Sequence, residues 1–215
     1  MKTGIRRLAL GMIAAFAVAT PTTAMAATSM PEFSSAPPAV VRTEASVQVE
    51  QGQKIFSASG GTCSITVIDS STAYTAQHCG DGKWTVGSNV MDLGRHVIGT
   101  VAYIPPQKGM DYIKIKLSDG VRIDKTWTKR ATSTLVPGEP LYVRGLGERT
   151  QVGHLVDLTH QWWIGTNDQT LYITPHITRA GMSGGAVLDM QGNVVGINVG
   201  YSGGNTVFMP WDRMQ

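Results

Sequence analysis

The 215-residue chain carries 18 Lys and Arg against 15 Asp and Glu, with 42% apolar residues and 25 glycines. Three of the basic residues, Lys2, Arg6 and Arg7, fall among the first 26 positions, where there is no acid, so the remainder balances at 15 of each sign. That balance excludes a basic surface for nucleic acid or membrane, and the net charge of +3 carries no functional meaning.

Lys2, Arg6 and Arg7 precede a short apolar run, Leu8 to Val18, and Ala24-Met25-Ala26 has the A-x-A form of a signal-peptidase site. Spanning a bilayer takes roughly 20 apolar residues, and this run is shorter. The pattern predicts export with cleavage after Ala26, a retained membrane tether being the alternative. Residues 27–50 are rich in Ala, Ser and Pro and read as a linker or short pro-segment, in which Val47 and Val49 could begin the first strand.

From residue 51 onward, short β-branched and apolar stretches alternate with Gly, Pro, Asn and Asp, and long helical periodicity is absent. This is the signature of an all-β sandwich or barrel. Strands are predicted at 72–75, 85–86, 96–103 and 112–117, then at 141–145, 154–158, 171–174, 186–189, 194–199 and 206–209. "DMQGNVVGI" reads as a hairpin turning at Gln191-Gly192-Asn193. Residues 126–140 would join two β units, and "PWDRMQ" would form a turn or a helical stub. Cys63 and Cys79 are the only cysteines. In an exported chain such a pair suggests a disulfide rather than a metal site, since no C-x-x-C or H-x-x-x-H pair accompanies them.

The stretch "TRAGMSGGAVL", residues 178–188, places Ser183 among glycines as G-x-S-x-G. A serine attacks only with a base to take its proton and donors to hold the oxyanion. All five histidines, at 78, 96, 154, 160 and 176, precede Ser183. An α/β-hydrolase needs a histidine after its serine, so that reading fails; a subtilisin-type order would offer only Asp69 as the acid. The order His, Asp, Ser remains. His78 stands in "AYTAQHC", where a disulfide at Cys79 would clamp the imidazole. In "GMDYIKIKL", Asp111 shares strand parity with Ile113, Ile115 and Leu117, while Lys114 and Lys116 share the other. An inward carboxylate needs a partner, which a histidine N–H would supply; alternatively Asp111 precedes the strand and caps a turn beside Gly109.

Together "GQKIFSASGGTCSITVIDSSTAYTAQHC", "MDYIKIKL", "VPGEPLYVRGLG" and "GMSGGAVLDMQGNVVGI" resemble the chymotrypsin-like serine proteases, bacterial streptogrisins most of all. The resemblance covers about residues 51 to 210. It implies two antiparallel six-stranded Greek-key β-barrels, one over about 51–125 and one over about 135–210 within a domain 51–215, with the active site in the cleft between them. It makes His78 the general base, Asp111 its orienting carboxylate and Ser183 the nucleophile of an exported endopeptidase. The N–H groups of Gly181 and Ser183 would form the oxyanion hole.

Ile177, six before the serine, would floor the primary pocket, with Thr178 beside it and Asn198, Val199, Gly200 and Tyr201 as a wall. This favours an apolar or small side chain over Lys or Arg, while Thr178 and Arg179 keep an acidic preference open. The sequence departs from the family at Met182, where an aspartate is usual, at Gln77, at Ala186 in place of a proline, and in lacking an I-V-G-G-like start. Activation by a new N-terminus pairing with that aspartate is therefore not implied. No cofactor or metal is called for. The expected partners are a peptide or protein substrate, and the chain's own pro-segment or a protein inhibitor as a restraint. A monomer is expected, without nucleic acid and without stable membrane insertion once the signal is cleaved. The competing readings are an inactive or latent protease-fold binding protein, and a carbohydrate-binding β-domain for which Trp162 and Trp163 would be the only adjacent aromatic pair.

Overall fold

The computed structural model describes residues 46–161 and 169–214. The expected signal segment, nearly all of the 27–50 stretch, and Trp162 and Trp163 lie outside these. Among the described residues the only helical pieces are three short 3-10 turns, at Gln77–Gly80, Thr132–Thr134 and Trp211–Arg213.

The first half holds β1 (Val47–Val49), β2 (Lys54–Phe56), β3 (Thr62–Ser64), β4 (Thr66–Asp69), β5 (Thr72–Thr75), β6 (Asn89–Met91), β7 (Val97–Tyr103), β8 (Ile113–Leu117) and β9 (Val121–Ile123). Its main sheet runs β4-β5-β8-β7-β6, and β2 pairs with β3. Only Ile65 separates β3 from β4, so the two form one bent strand, and the bridge Ile55↔Asp92 joins β2 to the end of β6. The first barrel thus closes through a bend and a single bridge. β1 pairs in parallel with β9 and buries Val49, so Val47 and Val49 do lie in a strand.

The second half holds β10 (Pro140–Gly145), β11 (Glu148–Arg149), β12 (Gly153–Leu155), β13 (Leu171–Thr174), β14 (Ala186–Asp189), β15 (Val194–Ser202) and β16 (Asn205–Pro210). The order β10-β12-β13-β16-β15-β14 returns to β10 through a β10–β14 ladder, which closes a six-stranded barrel.

Burial follows the alternation in β8, where Ile113, Ile115 and Leu117 are buried, Lys114 is half-buried and Lys116 is exposed. β14 and the first part of β15 break the pattern and are buried on both faces. Val187 and Val195 fill the second barrel, whereas Ala186, Leu188, Val194 and Ile197 belong to a core continuous with the first. A strand shared by two cores has no wet face, and it reads as an unbroken apolar run. Residues 85–86 are not a strand: Thr85 and Ser88 close a turn through their hydroxyls at 2.7 Å, and this leaves Val86 exposed. The strand expected over 154–158 stops at Leu155, and residues 157–159 bend around the Asp157 carboxylate, which accepts the Thr159 N–H at 2.9 Å.

The connector between the barrels is stitched to both. Trp127 N–H donates to Ile68 O, Val194 N–H to Thr128 O, and Arg130 N–H to Val194 O. The Arg130 guanidinium then meets Glu139 at 2.5 Å and Asp189 at 3.1 Å. Asp189 is 1% exposed. Burial acts to raise its pKa, but hydrogen bonds from Asn193, Arg130 and Gln191 hold it below the usual carboxylate range. Removing one partner of a buried ion pair costs more than the pair itself contributes. Arg130→Ala should therefore lower unfolding stability by about 2–3 kcal/mol at neutral pH in urea denaturation. The deficit should shrink in acid, where a protonated Asp189 no longer needs the cation.

Candidate active site

His78 lies in the 3-10 turn that follows β5. Register explains its partner: Thr75 of β5 faces Ile113 of β8. Three residues beyond one and two before the other, His78 and Asp111 meet at the end of the ladder. Asp111 does precede the strand, yet it serves His78 and not a turn. Its Oδ1 accepts the His78 backbone N–H at 2.8 Å, and its Oδ2 lies 2.6 Å from His78 Nδ1. Two contacts to one carboxylate fix both the position and the rotation of the ring. A proton on Nδ1 leaves the Nε2 lone pair free of it. Burial acts to lower the His78 pKa, while the hydrogen bond and charge of Asp111 raise it; the carboxylate prevails and the pKa ends above the usual 6.5. Tyr112, on the parity of Lys114 and Lys116, is buried because it sits before the strand begins, against Tyr74 and Tyr103.

Cys79 is disulfide-bonded to Cys63 of β3, with Cα atoms 6.3 Å apart. The bond ties the histidine turn to the strand on which the serine turn rests, and Cys79 Sγ is 4.0 Å from Ser183 O.

Ser183 stands at the apex of a turn between Arg179 and β14. Met182 N–H donates to Arg179 O and Gly185 N–H to Met182 O. Gly181 at φ +89° and Gly184 at φ +82° occupy backbone that favours glycine. A Cβ on Gly184 would lie 2.1 Å from Thr75 Oγ1 and 2.4 Å from Ser64 O, so the turn is pressed against the chain that leads to His78. Ser64, which sequence reasoning missed, secures this docking. Its N–H donates to Ser183 O at 2.8 Å, its hydroxyl donates to Gly181 O at 2.9 Å, and its carbonyl accepts Thr75 Oγ1 at 2.7 Å. Adjacency to Cys63 was the sole signal for it.

Among the described residues, the Gly181 and Ser183 N–H groups have no protein acceptor and the Ser183 hydroxyl has no hydrogen-bond partner. Three polar groups of the serine turn are therefore left without a protein partner among the described residues. Such bonds in free enzymes often tighten only with substrate present. No group of three or more His, Cys, Asp or Glu among the described residues is placed to hold a metal ion.

The pocket candidates lie around β15. Gly184 N–H donates to Asn198 O and Asn198 N–H to Gly185 O, both at 2.7 Å, so this strand flanks the serine turn. Ile177 is buried in the second core beside Met182, and Val199 is buried in the first. Thr178 Oγ1 lies 3.2 Å from Thr206 Oγ1, and Gly200 is half-buried. Asn198 is 1% exposed, and its Oδ1 is unpartnered among the described residues. Tyr201 is exposed and stacks on His176 with ring centroids 4.6 Å apart. Arg179 is spent on Glu148 in an exposed ion pair at 2.5 Å.

Residues 61–197 match the model of the trypsin-like peptidase domain. No curated protein sequence matches the chain. The structure is similar to chymotrypsin of Cellulomonas bogoriensis, with a TM-score of 0.59 and 21% identity over 76% of this chain and 91% of that one. Protease A of Thermobifida fusca matches with a TM-score of 0.54 and 22% identity over 76% and 92%. A glutamic acid-specific serine protease, which uses a histidine triad in substrate binding, matches with a TM-score of 0.57 and 22% identity over 75% and 93%. These likenesses agree in fold with the two-barrel architecture, and the match over residues 61–197 places the chain in the trypsin-like peptidase family, as a serine-type endopeptidase.

Proposed function

We propose that this endopeptidase is exported and cleaves peptide bonds through an acyl-enzyme on Ser183, with His78 as base and Asp111 as the group that orients it. The observation that carries the reading is the two-point clamp of Asp111 on His78, next to a serine turn with two unspent N–H donors. In this mechanism His78 Nε2 takes the Ser183 proton as Oγ attacks the scissile carbonyl, and the imidazolium is stabilised by Asp111. The oxyanion is held by the N–H groups of Gly181 and Ser183. His78 then gives its proton to the leaving amine, and water, activated in turn by His78, releases the acyl group. The pocket takes an apolar or small side chain: Ile177 offers no acid for Lys or Arg, and Arg179 is engaged by Glu148. Export is supported by the segment 1–26 and by the disulfide, which persists in an oxidising compartment.

Labelling of the full chain with a fluorophosphonate tests the acyl-enzyme. Wild type should label, and Ser183→Ala and His78→Ala should not. Folded protein that does not label would favour the binding-protein reading. Asp111→Asn should lower kcat on the order of 10⁴-fold through loss of the tautomer. Because only the neutral imidazole accepts a proton, kcat/KM should rise with pH through a midpoint above 6.5. The same raised pKa means that the clamp stabilises the fold most in acid, and its contribution is lost as pH rises through that midpoint. An acid limb centred below 6.5 would contradict the clamp.

Gly184→Ala provides a test of placement. With His78, Asp111 and Ser183 intact, the added Cβ would drive the serine turn off Thr75 and Ser64, and the labelling rate should fall roughly 10²-fold.

A further inference from the structure

Asn198 meets the serine turn at Gly184 and Gly185, after Ser183, and at Ala180 and Gly181, before it, the surface opens into a groove. Its near part, about 410 Å³, is lined by Lys54, Thr62, Leu93, Leu146, Ala180 and Gly181. It continues into a hollow of about 500 Å³ that shares Lys54, Leu93 and Leu146 and adds Glu50, Gln53 and Asp92.

Both walls are built and fixed. Leu146 has φ +58°, a conformation few branched residues adopt. Its N–H is held by Ser64 Oγ at 2.8 Å and the following Gly147 N–H by Gly52 O at 2.8 Å. That geometry lays the Leu146 side chain across the serine turn, 2.9 Å from where a Cβ on Gly181 would stand. The opposite wall is the turn 92–96, in which the Asp92 carboxylate accepts the His96 N–H at 2.9 Å and meets His96 Nδ1 at 2.9 Å. Leu93, at its tip, is 44% exposed.

The charge of the groove is uneven. In the β2–β3 ladder Lys54 is paired with Ser64 and so projects on the face that carries the Ser64 hydroxyl. It is the one charged residue lining the near part, and no ion pair engages it among the described residues. The Arg95 guanidinium stands 5.3 Å over the ring of Phe56, the next residue on that face. Of the acids farther out, Asp92 is spent on His96, and Glu50 lines only the outer hollow.

Resting on the acyl-enzyme reading, we propose that this groove receives the substrate residues that follow the scissile bond, and that Lys54 makes it prefer a carboxylate side chain at the second or third of them. If the acyl side lies along β15, the leaving strand must exit across Gly181 toward Leu146 and Lys54. An extended peptide advances about 3.3 Å per residue and turns alternate side chains to one face. One of those two positions therefore faces the ammonium, while Leu93 and Leu146 contact the aliphatic part.

Quenched-fluorescence peptides that are identical up to the scissile bond and carry Glu, Gln or Lys at the second or third residue after it provide the test on the full chain. In wild type, kcat/KM should fall in the order Glu, Gln, Lys at one of the two positions, with roughly three- to tenfold between the extremes at low salt. The spread should narrow at about 0.5 M NaCl, where exposed charges are screened. Within the Lys54→Glu variant the order should reverse, a ratio that does not depend on its overall activity. A flat series in wild type, a spread indifferent to salt, or an order unchanged in Lys54→Glu would overturn the assignment. Fluorophosphonate labelling of the same preparation distinguishes the failures. A labelled enzyme with a flat series loses only the groove, whereas an enzyme that does not label loses the acyl-enzyme reading and the groove with it.

Discussion

The Ser64 hydroxyl donates to Gly181 O at 2.9 Å and accepts the Leu146 N–H at 2.8 Å, while its backbone N–H holds Ser183 O. Ser64 belongs to the first barrel, and its partners belong to the second. Its carbonyl accepts Thr75 Oγ1, from the strand that leads to His78. Thr66 Oγ1 adds a further bond to Gly184 O at 2.8 Å. Ser64, Thr66 and Thr75 are fully buried, so their polar groups would cost free energy if left unpaired. The barrels therefore have one docking that satisfies all of them, and that docking aims the peptide planes of the serine turn. Among the described residues, the Gly181 and Ser183 N–H groups of that turn have no protein acceptor. The disulfide from Cys63 reinforces the same seam from the adjacent residue.

Residue identity at the serine turn shows how packing substitutes for charge. Met182 stands where the resembling family keeps an aspartate, and it is 1% exposed among Leu155, Ile173, Ile177 and Phe208. An aspartate there would have to find a cation; a thioether needs only a cavity of the right shape. Gly145 makes the room, since a Cβ on it would lie 3.1 Å from Met182 Cβ. Hydrophobic burial thus holds Met182, beside the hydrogen bonds that Ser64 and Thr66 make to the same turn.

Much of this was legible in the sequence where a local rule applies. Alternation in "IKIKL" located β8 and pointed Asp111 inward. Gln191-Gly192-Asn193 announced the β14–β15 hairpin, whose Asp189 carboxylate accepts the N–H groups of Gln191 and Asn193. The motifs around His78, Asp111 and Ser183 carried the resemblance that implied two barrels. What was not legible depends on partners distant in sequence. Ser64 looks like any serine in a strand until Gly181, 117 residues away, is brought to it. Leu146 announces no left-handed conformation, because Ser64 and Gly52 impose it. Residues 85–86 have strand-forming composition, yet a serine three positions on captures the Thr85 N–H and hydroxyl. Position in the chain suggests Ile177 and Val199 for a pocket but not the cores that bury them, the second for Ile177 and the first for Val199.

Division of labour between the barrels follows from these contacts. In the proposed mechanism the first barrel supplies His78 and Asp111, which a ladder end brings together, and the second supplies the Ser183 hydroxyl and the N–H groups of Gly181 and Ser183. Neutral hydrogen bonds and apolar packing set the distance between the two groups; no ion pair crosses Ser64, Thr66, Gly181 or Gly184. Such a seam does not titrate between acid and neutral pH, so the serine turn keeps its place against the first barrel while His78 changes charge. The ionisable groups that bear on architecture, Arg130, Glu139 and Asp189, lie in the connector and at the far end of β14. Protonation in the cleft is thereby separated from protonation that would loosen the fold. Under the proposed mechanism the raised imidazole pKa serves the chemistry without tying stability to the same proton beyond the His78–Asp111 contact itself.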